Sequence, residues 1–250
     1  MSRTLIVATA LLILTTACKD DAKETPPVDL PTSTDIPAGY DPATAYAVDL
    51  DPTTLSADVT NPLYPLPVGA KWVFRAETDE GLERTEVVVE AATRTVFGAD
   101  ARVVRDTVWL DGELIEDTYD WYAQDAAGNV WYLGEETAEY EDGEVTSTAG
   151  SWEAGVSGAL PGVVMLAQPK VEDTYRQEFL VGEAEDVASV VAKDVSVEIS
   201  AGSYSGCLKT LDTSTLERSL LEHKYYCPGV GVVLTEEDDV RDELVEVTGL

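Results

Sequence analysis

The sequence predicts an all-β protein: an antiparallel meander that forms a barrel-like or strongly curved sheet, with little helix. From about residue 71 onward, short runs with two-residue alternation of apolar and polar residues follow one another. Turn signals separate these runs, and Asp-Gly recurs at Asp111-Gly112 and Asp142-Gly143. Glycine supplies the positive φ that tight hairpins need, so both dipeptides predict hairpin turns. Valine, threonine, tyrosine and tryptophan dominate the runs, which suits a half-buried pleated surface.

The predicted strands fill a single domain over residues 61–250. Their runs are "KWVFRAET", "ERTEVVVEA", "ARVVRDTVWL", "ELIEDTYDWYAQ", "VWYLGEE", "AEYE", "EVTSTAGSW", "TYRQEFLV", "VSVEIS", "CLKTLDTST", "LEHKYYC", "VGVVLTEE" and "ELVEVTG". Residues 182–194 fit a helix or a strand equally well, because an apolar stripe there coincides with β-branched residues. Residues 149–169 are rich in glycine and small residues, and predict a loop that covers an open end of the sheet with Trp152. A flap over a ligand is the alternative for this loop.

Charge excludes one class of partner. The chain carries 48 acidic and 16 basic residues, a formal net charge of −32. Such a field repels nucleic-acid backbones and anionic lipid headgroups. We therefore expect no nucleic-acid partner, a solvated acidic surface, and membrane contact only through a separate anchor.

The N-terminus supplies such an anchor. Arg3 precedes a short apolar run, which is typical of a signal peptide over residues 1–17 and too short to cross a membrane. The stretch "LTTAC", ending at Cys18, resembles the lipobox of bacterial lipoproteins, with Thr15 where that pattern prefers a larger aliphatic residue. That resemblance implies acylation of Cys18 and export to the bacterial cell envelope, in the outer membrane or at the cell surface. Residues 18–60, rich in proline and acidic residues, predict a lipid-anchored tether.

An aromatic cluster is the densest candidate for ligand binding. On strands joined by the turn at 125–129, Tyr119 and Trp121 share one face, and Asp120 and Tyr122 share the other. Core packing explains one set, and the alternative is an exposed platform for a glycan, peptide or hydrophobic ligand. The candidate binding residues are Tyr119, Trp121, Tyr122, Trp131, Tyr132 and Trp152.

The sequence assigns no catalytic residue, metal ligand or cofactor. The chain has one histidine, His223, and three cysteines, too few for a zinc or copper site. The acidic stretches at 125–129 and 236–243 suggest calcium only by composition, and ordinary turn chemistry accounts better for both. With 48 acidic residues, no carboxylate pair can be singled out, so we expect a protein that is not an enzyme. A secreted carboxylate-dependent hydrolase, or a glycan-binding protein using residues 119–132, is the alternative.

Cys207 and Cys227 predict a disulfide. Export places both in an oxidising compartment. Cys18 is expected to be acylated, so Cys207 and Cys227 are the two cysteines left to pair. A hairpin centred on Glu217 sets Cys207 opposite Cys227 and Leu211 opposite His223, and predicts one buried face shared with Tyr225. If residues 221–227 form a strand, His223 lies roughly 13 Å from Cys227 and cannot act with it as a catalytic pair.

Four stretches carry a resemblance over the folded domain: "DTYDWYAQDAAGNVWYLGE", "GSWEAGV", "PKVEDTYRQEF" and "EHKYYCPGVGVV". The chain resembles a family of uncharacterised bacterial lipoproteins and secreted β-domain proteins, from which Cys227 departs. That resemblance implies no activity. The sequence therefore predicts a lipid-anchored envelope protein with a binding or structural role and an unidentified ligand.

Overall fold

The computed structural model describes residues 46–217 and 219–250, and the predicted signal peptide, Cys18 and most of the tether lie outside these ranges. The predicted all-β class is confirmed. The strands are β1 (Lys71–Thr78), β2 (Gly81–Val96), β3 (Ala99–Leu110), β4 (Glu113–Gln124), β5 (Val130–Glu141), β6 (Glu144–Ser147), β7 (Trp152–Glu153), β8 (Gly162–Met165), β9 (Thr174–Arg176), β10 (Asp186–Ile199), β11 (Gly202–Ser214), β12 (Glu222–Cys227), β13 (Gly231–Glu237) and β14 (Val240–Thr248). One 3-10 helix, Pro52–Thr54, precedes the strands and is the only helical element within the described residues. No helix in these ranges is long and apolar enough to cross a membrane.

All strands belong to one antiparallel sheet that is curved but not closed. Their order is β6-β5-β4-β3-β2-β1-β14-β13-β12-β11-β10-β9, and β7 and β8 pair with β5 beside β6. Consecutive strands are neighbours almost everywhere, as the meander predicts. The exceptions are β7 and β8, which both pair with β5, and the pairing of β1 with β14, which joins the first and last strands in the middle of the sheet.

The two ends of the sheet meet at a seam, which we define as the contact between residues 160–163 and residues 177–179. On one side, β8 pairs with β5. On the other side, the Leu160 backbone N–H donates to the Phe179 carbonyl at 2.9 Å. A Cβ on Gly162 would lie 1.9 Å from the Gln177 carbonyl oxygen, so the two backbones meet at a distance that only glycine permits. The seam therefore brings β5 close to β9 without a continuous ladder.

Both Asp-Gly dipeptides form the predicted hairpin turns. Asp111 and Gly112 have φ values of 50° and 89°, and Asp142 and Gly143 have 52° and 79°. Two successive positive φ angles match the twist of the flanking strands, and aspartate tolerates them better than most residues.

Two further regions contain strands. For the first, the sequence left helix and strand open, and for the second it predicted a loop. Residues 186–199 form β10, which settles the choice between helix and strand. Residues 149–169 contain β7 and β8 where we expected a loop. The edge of β5 explains this difference, because it offers backbone groups that short segments rich in small residues can approach closely.

The core lies on the concave face and receives a segment that precedes β1. Tyr64 packs between Tyr122 and Tyr226, with ring centroids 5.4 and 6.3 Å away. Val59 and Leu66 are buried beside it. Tyr46 donates a hydrogen bond to the Pro161 carbonyl at 2.8 Å, so the described part of the predicted tether contacts the domain.

Candidate functional site

The aromatic candidates divide between the interior and the outer surface. Tyr122 and Tyr132 are fully buried, and Trp121 and Trp152 are at most 4% exposed. Tyr119 and Trp131 are half-buried. The predicted division of the cluster between two faces is therefore observed, but few of its rings remain available to a ligand at the surface.

Tyr122, Tyr132 and Trp152 pack together on the inner face. Tyr122 and Tyr132 are direct cross-strand partners with centroids 4.8 Å apart, nearly parallel. Trp152 meets Tyr132 edge-on at 5.3 Å. On the opposite face, the Arg94 guanidinium covers Trp121 at 3.8 Å from the ring centroid and binds Glu153 at 2.7 Å. These contacts fix the aromatic rings from both sides of the sheet.

A bulge in β5 brings a tyrosine and a glutamate to the same face. Tyr132 pairs with Tyr122 and Glu135 pairs with Asp120, so β5 has one more residue than β4 between these pairs. Regular alternation would send Tyr132 and Glu135 to opposite faces, but the extra residue turns both inward. Gly134, with a φ of 135°, lies in the bulge, and a Cβ there would be 2.3 Å from the Trp152 carbonyl oxygen.

The bulge creates a cluster of buried carboxyl groups. The Tyr132 hydroxyl lies 2.5 Å from Asp120 Oδ1 and 2.9 Å from Glu135 Oε2. A hydroxyl has one proton and can donate to only one of them. The other carboxyl group must therefore carry a proton and donate to the tyrosine oxygen. Burial is the first cause that raises the pKa of Asp120 and of Glu135 above their ordinary values.

Glu178 completes this cluster from the other end of the sheet. It is 1% exposed, and burial, followed by the charge of Asp186, raises its pKa to about 8. Its charge in turn raises the pKa of Glu135. Asp120 Oδ2 and Glu178 Oε1 have no hydrogen-bond partner within the described structure. We call Asp120, Glu135 and Glu178 the acid cluster.

A second set of buried acids lies on β11 and β12 and includes a base. Lys224 Nζ is 2.7 Å from Glu222 Oε2 and 3.1 Å from Asp212 Oδ2. The Lys224 side chain is 7% exposed, and although burial opposes it, the charges of Glu222 and Asp212 raise its pKa. We call these three residues the lysine cluster.

The turn at 125–129 shows the expected turn chemistry. Asp125 Oδ1 accepts backbone hydrogen bonds from Ala127, Gly128 and Asn129, each at 2.9 Å, and Oδ2 accepts from Trp131 Nε1. Although burial opposes them, these bonds hold the pKa of Asp125 below its ordinary value. The carboxylate is thus occupied by N–H donors. No group of three or more potential ligands within the described ranges could hold a metal ion.

The expected bridge between Cys207 and Cys227 is present, with Sγ atoms 1.99 Å apart. His223 pairs with Leu211, as the hairpin centred on residue 217 predicts. The prediction that Leu211, His223 and Tyr225 form a buried face is wrong, since all three are only half-buried. The interior face of this hairpin holds instead the residues between them, including Asp212 and Lys224, because that face is the one turned toward the concave core. Burial lowers the pKa of His223.

Sequence reasoning did not identify Asp120, Glu135 and Glu178 as a group. One signal was available: Asp120 shares a strand face with Tyr122, and a charged residue at an inward position breaks the binary pattern of a strand. No comparable signal marks Glu135, because the bulge that turns it inward is set by the approach of β7. Glu178 reaches the cluster only across the seam.

The comparisons with known proteins found a similar solved structure. No protein-family model matches the chain, and no curated protein matches its sequence. A crystal structure described as a "putative lipoprotein" from Parabacteroides distasonis is similar, with 13% identity and a TM-score of 0.41, over 74% of this chain and 98% of that one.

Proposed function

We propose that the protein is a lipid-anchored protein of the bacterial cell envelope, in the outer membrane or at the cell surface, whose β-domain binds a ligand at the acid cluster. The supporting observation is the pair of buried oxygens without partners, Asp120 Oδ2 and Glu178 Oε1. Each buried polar group left without a hydrogen bond costs about 1–3 kcal/mol of stability. Perturbed carboxyl groups of this kind concentrate at functional sites.

The anchor rests on the sequence around Cys18. A short apolar run, small residues and a cysteine are followed by a proline-rich, acidic stretch, and Val59 is the first buried residue of the described range that starts at residue 46. Two or three acyl chains on one residue would hold the protein durably on a membrane, whereas a strongly acidic domain would not bind anionic lipid by itself.

Metabolic labelling with a radioactive fatty acid tests the anchor. We expect label on the wild-type protein and none on the Cys18→Ser variant, with the variant recovered in the soluble fraction. An unlabelled wild type, or equal label on the variant, would exclude lipidation at Cys18.

A thermal-stability screen tests binding by the β-domain. The panel contains a primary amine, a quaternary ammonium ion, calcium and a neutral oligosaccharide, each at matched ionic strength. We expect one of these classes to raise the melting temperature of the wild type and not that of Glu135→Gln. Asp239→Asn, which removes an exposed carboxylate from the β13–β14 turn, is the matched control and should respond like the wild type. No response from any class, or the same response from Glu135→Gln, would refute binding at the acid cluster.

Hydrolysis of a glycoside is a second candidate function, because two carboxyl groups of the acid cluster lie close together. Asp120 Oδ1 and Glu135 Oε2 contact the same hydroxyl oxygen, so they are no more than about 5.4 Å apart. Retaining glycosidases hold their two carboxyl groups about 5–5.5 Å apart, a separation that this upper bound allows. Release of reducing sugar from a panel of glycosides by the wild type, abolished in Asp120→Asn, would support this function. Absence of turnover with bound oligosaccharide would leave binding alone.

A further inference from the structure

We propose that the acid cluster binds the protonated amino group of a ligand, whose N–H groups donate to Asp120 Oδ2 and Glu178 Oε1. This inference rests on the proposed binding function and names the chemical class of its ligand. It follows from three properties of the site: the hydrogen-bonding type of the atoms without partners, the charge around them, and the position of the cluster at the seam.

Within the acid cluster, the atoms without partners are carboxyl oxygens, and the hydroxyl of the neighbouring Tyr122 also has no partner in the described structure. Asp120 and Glu178 are each 1% exposed, and one carboxyl oxygen of each has no donor in the described structure. Tyr132 contacts the remaining oxygen of Asp120, Oδ1. A ligand that satisfies the open oxygens must therefore bring N–H or O–H donors. A primary ammonium carries three N–H donors on one compact group, enough to donate to both oxygens.

The charge of the surroundings favours a cation. The ionisable groups that face the acid cluster are Tyr122 on β4, Tyr132 on β5, Asp186 on β10 and Lys224 on β12. Lys224 is the basic member of this set, and its ammonium group already binds Asp212 and Glu222. The cluster thus holds three carboxyl groups with no ion pair of its own in the described structure. A bound ammonium would supply that pairing.

Three other classes of ligand fit the acid cluster less well than a primary ammonium. Calcium takes six to eight oxygen ligands, and the described residues contain no group of three or more that could hold a metal ion. A quaternary ammonium ion has the right charge but has no N–H to donate to the open oxygens. A neutral sugar has donors but leaves the buried negative charge uncompensated.

Binding of an ammonium group replaces a proton. Without ligand, the shared contact at Tyr132 requires that Asp120 or Glu135 be protonated, and Glu178, with a pKa of about 8, is largely protonated at neutral pH. When an alkylammonium ion enters, a carboxyl group releases one proton to solvent and becomes the carboxylate that pairs with it. Affinity therefore rises as the pH rises toward 8, provided that the amine itself remains charged.

The seam gives a ligand a route to the cluster. Glu178 follows Gln177, whose carbonyl faces Gly162, and Glu135 lies on β5, which pairs with β8. Here the sheet is held by individual contacts, such as Leu160 N–H to the Phe179 carbonyl, and separation of the two ends breaks fewer backbone hydrogen bonds than opening a ladder would.

Calorimetric titration of the mature, detergent-solubilised protein with butylammonium chloride tests the inference, with tetramethylammonium chloride, calcium chloride and a neutral oligosaccharide as parallel arms. We expect binding of one butylammonium per chain, with proton release measured in buffers of different ionisation enthalpy. Affinity should fall about tenfold or more in Asp120→Asn and in Glu178→Gln, since a hydrogen bond to a charged group is lost. Asp239→Asn should bind like the wild type, and circular dichroism establishes that each variant is folded.

The other outcomes separate the two proposals. Equal affinity for tetramethylammonium would overturn the role of N–H donors, and butylammonium binding that Glu178→Gln leaves unchanged would overturn the site. Calcium or oligosaccharide binding that requires Asp120 and Glu178, without butylammonium binding, would overturn the amine while the acid cluster remains a binding site. No binding in any arm would overturn both.

Discussion

The acid cluster and the lysine cluster lie on the same concave face, and they differ in one component. Each contains carboxyl groups that are at most 4% exposed. In the lysine cluster, Lys224 lies within 3.1 Å of both acids. In the acid cluster, the central group is the Tyr132 hydroxyl, which is neutral and has one proton for two carboxyl groups.

This difference distinguishes a cluster of paired charges, which holds strands together, from a cluster of unpaired carboxyl groups, which we propose binds a ligand. A buried carboxylate next to an ammonium keeps its charge and anchors the strands that carry it, although its net contribution to stability is small. A buried carboxyl group beside other carboxyl groups takes up a proton instead. Burying such a group without full hydrogen bonding lowers the stability of the fold. We therefore expect substitutions in the two clusters to have opposite signs.

Lys224→Met should produce the largest effect. The substitution leaves Asp212 and Glu222 buried without their cation, and removing one partner of a buried ion pair costs about 3–5 kcal/mol. Urea unfolding of the variant at pH 7 measures this loss of free energy of unfolding.

A triple variant is the matched control. Lys224→Met combined with Asp212→Asn and Glu222→Gln removes the cation and both charges, and should recover most of the lost stability. If the single and triple variants are equally destabilised, the loss comes from packing and the comparison of charges fails.

Loss of the disulfide should destabilise the β11–β12 hairpin that carries the lysine cluster. Cys207→Ser with Cys227→Ser opens a loop with a sequence separation of 20 residues and should cost about 3 kcal/mol in the chain-entropy model. Because Glu178 follows β9, outside the β11–β12 hairpin that the disulfide closes, the pH dependence described next should survive. A pH profile that changes with the disulfide would show that the two clusters are coupled.

The acid cluster should make the protein less stable as the pH rises. Glu178 has a pKa of about 8 in the folded state and roughly 4.3 when unfolded, so the folded state binds the extra proton between these values. Its contribution is fully present below about pH 4 and is lost as the pH rises through 8.

Glu178→Gln should flatten this profile and stabilise the protein at pH 8, the sign opposite to that of Lys224→Met. Thermal unfolding between pH 5 and pH 8.5 measures both effects. A wild-type stability that rises over this range, or a Gln variant that follows the wild type, would contradict a protonated acid cluster.

The smallest effect is expected outside the interior. Arg94→Ala removes a cation–π contact with Trp121 and an ion pair with Glu153, both partly exposed, and should cost about 1 kcal/mol. Its pH profile should match that of the wild type. A changed profile would show that the outer face controls the position of the acid cluster.

Much of the fold could be predicted from local sequence, but the candidate site could not. The Asp-Gly hairpins, the pairing of Leu211 with His223 and the bridge between Cys207 and Cys227 depend on turn chemistry and two-residue alternation, which are readable along the chain. The buried face of that hairpin was predicted wrongly, because alternation gives two faces and does not say which one turns inward.

The sequence by itself determined the all-β class, the register of the β11–β12 hairpin and an acidic chain with little capacity for histidine or cysteine chemistry. Only the tertiary structure decided which few of its many carboxyl groups are buried together. Glu135 turns inward because of a bulge at Gly134, and Glu178 reaches it because Gly162 lets the ends of the sheet meet. Both features depend on close approaches between segments that are distant in sequence, so local patterns of polarity do not predict them.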